Sequence, residues 1–94
     1  MSQSESENEV TPINELFNDA IEVIKESDKN FSNEQLLKLY GLFKQGTVGD
    51  NTNDEPSSFN IKQHKKWKSW NSYKGVTLEE AKQQYIKFVV ELIN

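Results

Sequence analysis

The 94-residue sequence predicts an all-α domain of four helices. Three observations carry that expectation. Apolar residues recur at three- and four-residue steps in two long segments, one near each end of the chain. Two Ser/Thr-x-x-Glu/Gln boxes, "SNEQ" from Ser32 and "TLEE" from Thr77, mark helix starts. No run alternates apolar and polar residues as a half-buried strand would, and no internal repeat is present.

The first eleven residues, Met1 to Thr11, are mainly Ser, Glu and Asn, a composition that buries too little to order itself, so they read as an acidic tail before a domain spanning 12–94. From Pro12, a residue suited to a first helical turn, Ile13, Leu16, Phe17, Ala20, Ile21, Val23 and Ile24 trace a first helix ending between Lys25 and Asp28. Ser32 caps a second helix that runs to about Val48. On a wheel of 100° per residue, Leu36, Leu39, Tyr40 and Phe43 share one arc, Leu37 and Lys44 flank it, and Lys38 and Gln45 face away. The segment "GDNTNDEPSSFN", Gly49 to Asn60, is turn chemistry over a length that suits a long crossing loop rather than a tight hairpin. "IKQHKKWKSWNSYKG" is a third helix with Gly75 as its C-cap, and Thr77 opens a fourth with Leu78, Ala81, Tyr85, Phe88, Val89 and Leu92 on one face.

Composition narrows the function. No stretch approaches the roughly 20 apolar residues needed to cross a bilayer, so no direct membrane insertion is expected. The acidic N-terminus lacks the basic-then-apolar pattern of a signal peptide, which makes a cytoplasmic protein the expectation. With no cysteine, disulfides and thiolate metal sites are excluded, and no metal is expected. A net charge of −4 argues against general nucleic-acid binding. The charge is unevenly spread, however: Lys62, Lys65, Lys66, Lys68 and Lys74 face no acid between Ile61 and Gly75. An acidic chain with one basic strip points to a discrete anionic ligand.

Two constellations could serve such a ligand. Tyr40 and Lys44 lie one turn apart and can reach the same space, a hydroxyl beside a cation that suits a phosphate; the alternative is that Tyr40 belongs to the core and Lys44 to solvent. In "KKWKSW", Trp67 and Trp70 are interleaved with lysines, the pattern of a stacking site, although tryptophans at helical spacing are more often core, leaving Lys62, Lys65 and Lys66 as a charged rim.

The run "LYGLFKQGTVGDNTNDEPSSFNIKQHKKWKSWNSYKG" followed by "EEAKQQYIKFVVEL" resembles the acyl-CoA-binding protein family over about Phe17 to Leu92. "KQGTVGD", the loop proline, "KWKSWN" and the late tyrosine fall in the family's order and spacing. The resemblance implies a four-helix bundle running up-down-down-up, with the long loop as its parallel crossover. It implies a monomer that binds long-chain fatty acyl-CoA as a ligand, without a cofactor, and carries or buffers it without catalysis. By the same resemblance Tyr40, Lys44 and Lys66 hold the 3′-phosphate, Tyr85 lies against the nucleotide, Lys25 stands near the ligand's phosphates, and Leu36 and Leu37 meet the acyl chain. Lys62 belongs to the same basic rim. Two positions depart from the family pattern: Phe43 replaces a common second tyrosine, and Lys65 replaces a small residue before Lys66.

Two rival functions are weaker. A thioester hydrolase needs a nucleophile with a partnered base, and the chain offers only His64 in a lysine-rich, solvated stretch. A helical protein-interaction module without a small ligand has no use for Tyr40, Lys44, Lys66 and Tyr85 together. The chain ends at Asn94, just past the fourth helix, which is compatible with a domain cut from a longer protein such as one with ankyrin repeats or a membrane anchor.

Overall fold

Three of the four helices begin where a side chain takes the place of a missing backbone acceptor, and the one that follows Asn60 has no side-chain cap. In the computed structural model, which describes residues 11–94, α1 spans Pro12–Glu26, α2 Asn33–Thr47, α3 Ile61–Asn71 and α4 Leu78–Ile93, with no strand among the described residues. The tail expected over residues 1–11 lies outside the described residues except for Thr11, whose hydroxyl accepts the Asn14 N–H at 3.3 Å and caps α1. The Ser32 box forms completely: Ser32 Oγ accepts Gln35 N–H at 3.1 Å, and Gln35 Oε1 accepts Ser32 N–H at 2.8 Å. Only half of the Thr77 box forms, Thr77 Oγ1 accepting Glu80 N–H at 3.1 Å.

Contacts between side chains fix the directions. Asn14 meets Lys82 and Phe17 meets Tyr85, so α1 and α4 run the same way. Gly46 faces Lys82 while Lys38 lies over Phe88, so α2 runs against α4. Lys66 lies over Tyr40 and Trp70 under Lys44, both pairs in the same offset, so α3 runs parallel to α2. The result is the up-down-down-up bundle. Its core is Phe17, Ala20, Leu39, Leu42, Tyr85 and Val89, with Phe17 edge-on to Tyr85 at 5.1 Å.

Two parallel neighbours need a connection that spans a helix length, and the 48–60 segment supplies it. It is tied down by the third helix rather than by its own composition. Trp70 Nε1 donates to Gly49 O at 2.8 Å, and Trp67 Nε1 donates to Asn53 O at 2.9 Å. Buried Asn51 accepts Asn53 N–H and donates to Trp67 O. Asp50 Oδ1 accepts both Gln45 Nε2 and the Gly75 N–H at 2.9 Å. The Gly75 bond above all, then the Gln45 bond, holds the Asp50 carboxyl below the usual carboxylate range, with Lys74 adding to the effect.

Three readings of the sequence are corrected. Gln45 does not face away: it is 0% exposed, its amide donating to Asp50 and to Val76 O at 2.8 Å. The buried arc of α2 is Leu39, Gly41, Leu42, Gln45 and Gly46, which leaves Leu36 47% and Phe43 37% exposed at its edge. Gly75 does not cap α3, which ends at Asn71; turns follow, and Gly75 adopts φ +94° four residues later, ahead of α4.

Glycine at position 41 sets the spacing of α2 and α3. A Cβ there would stand 2.7 Å from Ser69 Oγ and 2.8 Å from Ser69 O, inside van der Waals contact. Ser69 Oγ donates to Leu37 O across the same contact. Gly41→Ala is therefore expected to lower stability by about 1–3 kcal/mol through overpacking, although Ala is the better helix former by about 1 kcal/mol. Thermal unfolding should show a fall of several degrees, and a melting temperature at or above wild type would contradict the close contact.

Candidate functional site

An open cleft of about 610 Å³ lies between α2 and α3, within the size range of small-molecule sites. Helical spacing builds both walls. Asn33, Leu36, Leu37 and Tyr40 fall at i, i+3, i+4 and i+7 along α2; Ile61, Lys62, Lys65 and Lys66 fall at i, i+1, i+4 and i+5 along α3. Because the helices are parallel, apolar Leu36, Leu37 and Ile61 gather toward their N-terminal ends, with Tyr40 and Lys66 further along.

Cations concentrate where the two helices meet. Lys66 Nζ stands 4.7 Å from the centroid of the Tyr40 ring, and Lys44 Nζ stands 4.8 Å from that of Trp70. Among the described residues the ion pairs are Lys25–Glu22 and His64–Glu55, so no carboxylate lies within ion-pair distance of Lys44, Lys62, Lys65 or Lys66. Four cations on one side of the bundle without acidic partners are an arrangement ready for an anion. Beside them the cleft offers hydrocarbon, from the leucines and Ile61 and from the stems of the lysines. One ligand with both an anionic and an apolar part would satisfy the whole surface.

Six of the ten residues singled out in the sequence, Leu36, Leu37, Tyr40, Lys62, Lys65 and Lys66, line this cleft. Lys44 is half-buried beside it, on Trp70. Phe43 lies outside the lining and stacks on Phe17 with centroids 6.2 Å apart. Tyr85 is in the core, 4% exposed, and burial pushes its hydroxyl above the ordinary tyrosine value. Lys25 is exposed on α1, 3.7 Å from Glu22. Asn33 and Ile61 were not singled out, although their spacing from Leu36, Leu37 and Lys65 would have found them. His64 is not solvated as expected: it is partly buried, with Nε2 2.6 Å from Glu55 Oε2, and it joins α3 to the crossover.

A second cleft, about 440 Å³, is lined by Asn14, Phe17, Asn18, Gly46, Thr47, Leu78 and Lys82. Its one lysine donates to Asn14 Oδ1 at 2.8 Å, so the cleft offers a single cation where the first offers three.

The geometry has counterparts among known proteins. A family model described as acyl CoA binding protein matches residues 14–89. Acyl-CoA-binding protein homolog 1 of Caenorhabditis elegans is 48% identical over 77 residues, covering 82% of this chain and 90% of that protein. The Drosophila melanogaster acyl-CoA-binding protein homolog is 43% identical over 81 residues, covering 86% and 94%. The crystal structure of Oryza sativa acyl-CoA-binding protein 2 superposes with a TM-score of 0.82 at 41% identity, covering 86% of this chain and 90% of that one.

The burial of Tyr85 can be tested directly. In a Tyr40→Phe/Tyr73→Phe variant it is the sole tyrosine, and an absorbance titration should give a midpoint above the ordinary value of about 10. Because the folded value is the higher one, this contribution to stability is present below pH about 10 and is lost as pH rises through the folded value. A midpoint at or below 10 would place the hydroxyl in water.

Proposed function

This chain belongs to the acyl-CoA-binding protein family, and we propose that it binds and carries medium- to long-chain fatty acyl-CoA esters in the α2/α3 cleft, without catalysis. The observation that carries the reading is the pairing of an apolar cleft with Tyr40, Lys44 and Lys66, cations and a hydroxyl that have no acidic partner among the described residues. The acyl chain lies along Leu36, Leu37 and Ile61, where each methylene removed from water contributes about 0.8 kcal/mol. The 3′-phosphate takes the place of the aromatic faces that now hold Lys66 and Lys44, and the Tyr40 hydroxyl donates to it. Charge-assisted bonds of this kind are about twice as strong as neutral ones.

Of the remaining assignments, Lys25 and Tyr85 follow the family pattern, whereas Lys65 and Phe43 depart from it. Lys62 and Lys65 extend the positive rim, and the Lys65 stem narrows the acyl channel where relatives have a small residue. Phe43 and Tyr85 both meet Phe17 and lie outside the lining of the α2/α3 cleft, so their place near the nucleotide rests on the family resemblance alone, and by the same resemblance Lys25 is the cation of α1 for the ligand's other phosphates once it leaves Glu22. The work is that of a monomer in the cytoplasm. A protein-interaction module is disfavoured because it gives no role to unpaired cations around an apolar cleft. A hydrolase is disfavoured because the chain has no thiol and, among the described residues, no hydroxyl hydrogen-bonds to the ring of its one histidine, which meets Glu55 instead.

CoA lacking the 3′-phosphate should bind at least about 30-fold more weakly than CoA, since removing one partner from a desolvated charged cluster costs roughly 2–5 kcal/mol. Calorimetry giving equal affinities would remove the phosphate clamp. Lys44→Ala should weaken palmitoyl-CoA binding to a similar degree while reducing stability only by its contact with Trp70, about 0.5–1 kcal/mol.

A further inference from the structure

The outer surface of α1 is not used by either cleft. Its exposed acids Glu15, Asp19, Glu22 and Glu26 recur at i, i+4, i+7 and i+11, a continuous stripe along the helix. Among the described residues only Glu22 has a cation within ion-pair distance, Lys25 at 3.7 Å, and Lys25 is the only lysine of α1. Leu16 and Val23, a pair at i and i+7, stand between this stripe and the core and are 54% and 39% exposed.

Contacts to α2 fix which side of the bundle this is. Phe17 stacks on Phe43, and Asn14 and Asn18 border the second cleft together with Gly46 and Thr47, so that flank of α1 faces α2. Leu16 and Val23 are rotated from Phe17 by about 100° and 120° in the opposite sense, away from α2. On α4, Phe88 meets Lys38 of α2, and Val90, about 200° further round, is 47% exposed on the same back face. Three aliphatic side chains edged by acids thus lie opposite the α2/α3 cleft, and none of them lines either cleft. The charge of α4 has the same sign, since Glu79, Glu80 and Glu91 outnumber Lys82 and Lys87.

We propose that this α1/α4 face docks a basic amphipathic helix of a partner protein, aliphatic side chains meeting Leu16, Val23 and Val90 and lysines or arginines meeting the acidic stripe. Charge decides the occupant. A second copy in two-fold pairing would set one acidic stripe against the other, whereas a basic helix is complementary along its length. Spacing agrees, because Leu16 and Val23 are about 10 Å apart along the helix axis, the repeat of anchors at i and i+7 on a docked helix. The docking itself is independent of the ligand. It rests on the acyl-CoA reading only for its use: a partner on the back face leaves the α2/α3 cleft open, so a protein that loads or unloads the carrier can hold it while the ligand moves.

The test is an amide chemical-shift titration of the ligand-free full chain with two synthetic helical peptides, both carrying leucine at i, i+3, i+4 and i+7, one with lysine and one with glutamate at the other positions. The lysine peptide should shift Glu15, Leu16, Asp19, Val23 and Val90, leave Leu36, Tyr40 and Lys65 in place, and bind more weakly in high salt. The glutamate peptide should shift nothing. Leu16→Gln, at a site more than half exposed, should weaken the lysine peptide about tenfold while melting temperature and palmitoyl-CoA affinity stay as in wild type. The proposal is overturned if the lysine peptide does not bind, if both peptides bind, or if Leu16→Gln binds it like wild type. Shifts scattered over Glu34, Asp54 and the rest of the acidic surface would overturn it too, as charge attraction without a site. Sedimentation showing a dimer of the chain alone that Leu16→Gln dissociates would make a second copy the occupant and equally overturn it. Failure of palmitoyl-CoA binding alone would strike the acyl-CoA reading and leave these outcomes as they stand.

Discussion

The parallel packing of α2 on α3 is the constraint on which the rest depends. Antiparallel neighbours can be joined by a few residues, whereas parallel ones need a return path, and the 48–60 crossover exists to provide it. Parallel helices also bring their N-terminal ends together, so the positive ends of two helix dipoles lie at one end of the cleft. The approach is possible because Gly41 has no side chain opposite Ser69, and because two indoles and Asn51 hold the crossover to α3. Helix dipoles side by side repel modestly; the packing and these hydrogen bonds outweigh them.

The site is a consequence of that packing. Tyr40 and Lys44 come from α2, Lys66 and Trp70 from α3, and the two lysines lie across the helix boundary on each other's aromatic partner. These contacts keep the ammonium groups in place without neutralising them, as a carboxylate would. Cation–π contacts of about 0.5–1 kcal/mol are weak enough for an incoming phosphate to displace. The same surface therefore contributes a little to stability when empty and can contribute more to binding.

Legibility varied with the range of the interaction. The cap residues Ser32 and Thr77 announced their helices because capping acts within three residues. The crossover could be read from composition, but its anchors could not, since Asn51 and Gly49 find partners 16 and 21 residues away. The inner face of α2 was misjudged because a hydropathy wheel credits Leu36 and Phe43 and ignores Gly41 and Gly46, which are buried for want of a side chain. Gln45 reads as polar surface until Asp50 and Val76 supply its partners. At the site, the quoted motifs named Tyr40, Lys44 and Lys66, and the structure added how they stand: unpaired with acids and parked on rings. Ile61 and Asn33 have the right spacing, but neither carries a charge or a ring that marks a ligand contact in the sequence.

The central claim is that one ligand occupies the α2/α3 cleft with its nucleotide at the Tyr40 end and its acyl chain at the Leu36 end. Amide chemical-shift mapping with CoA and then with palmitoyl-CoA tests it most directly. CoA should perturb residues around Tyr40, Lys44 and Lys66, and palmitoyl-CoA should add Leu36, Leu37 and Ile61 to that set. Shifts centred instead on Asn14, Thr47 and Lys82 in the second cleft, or a pattern that is the same for both ligands, would contradict the account.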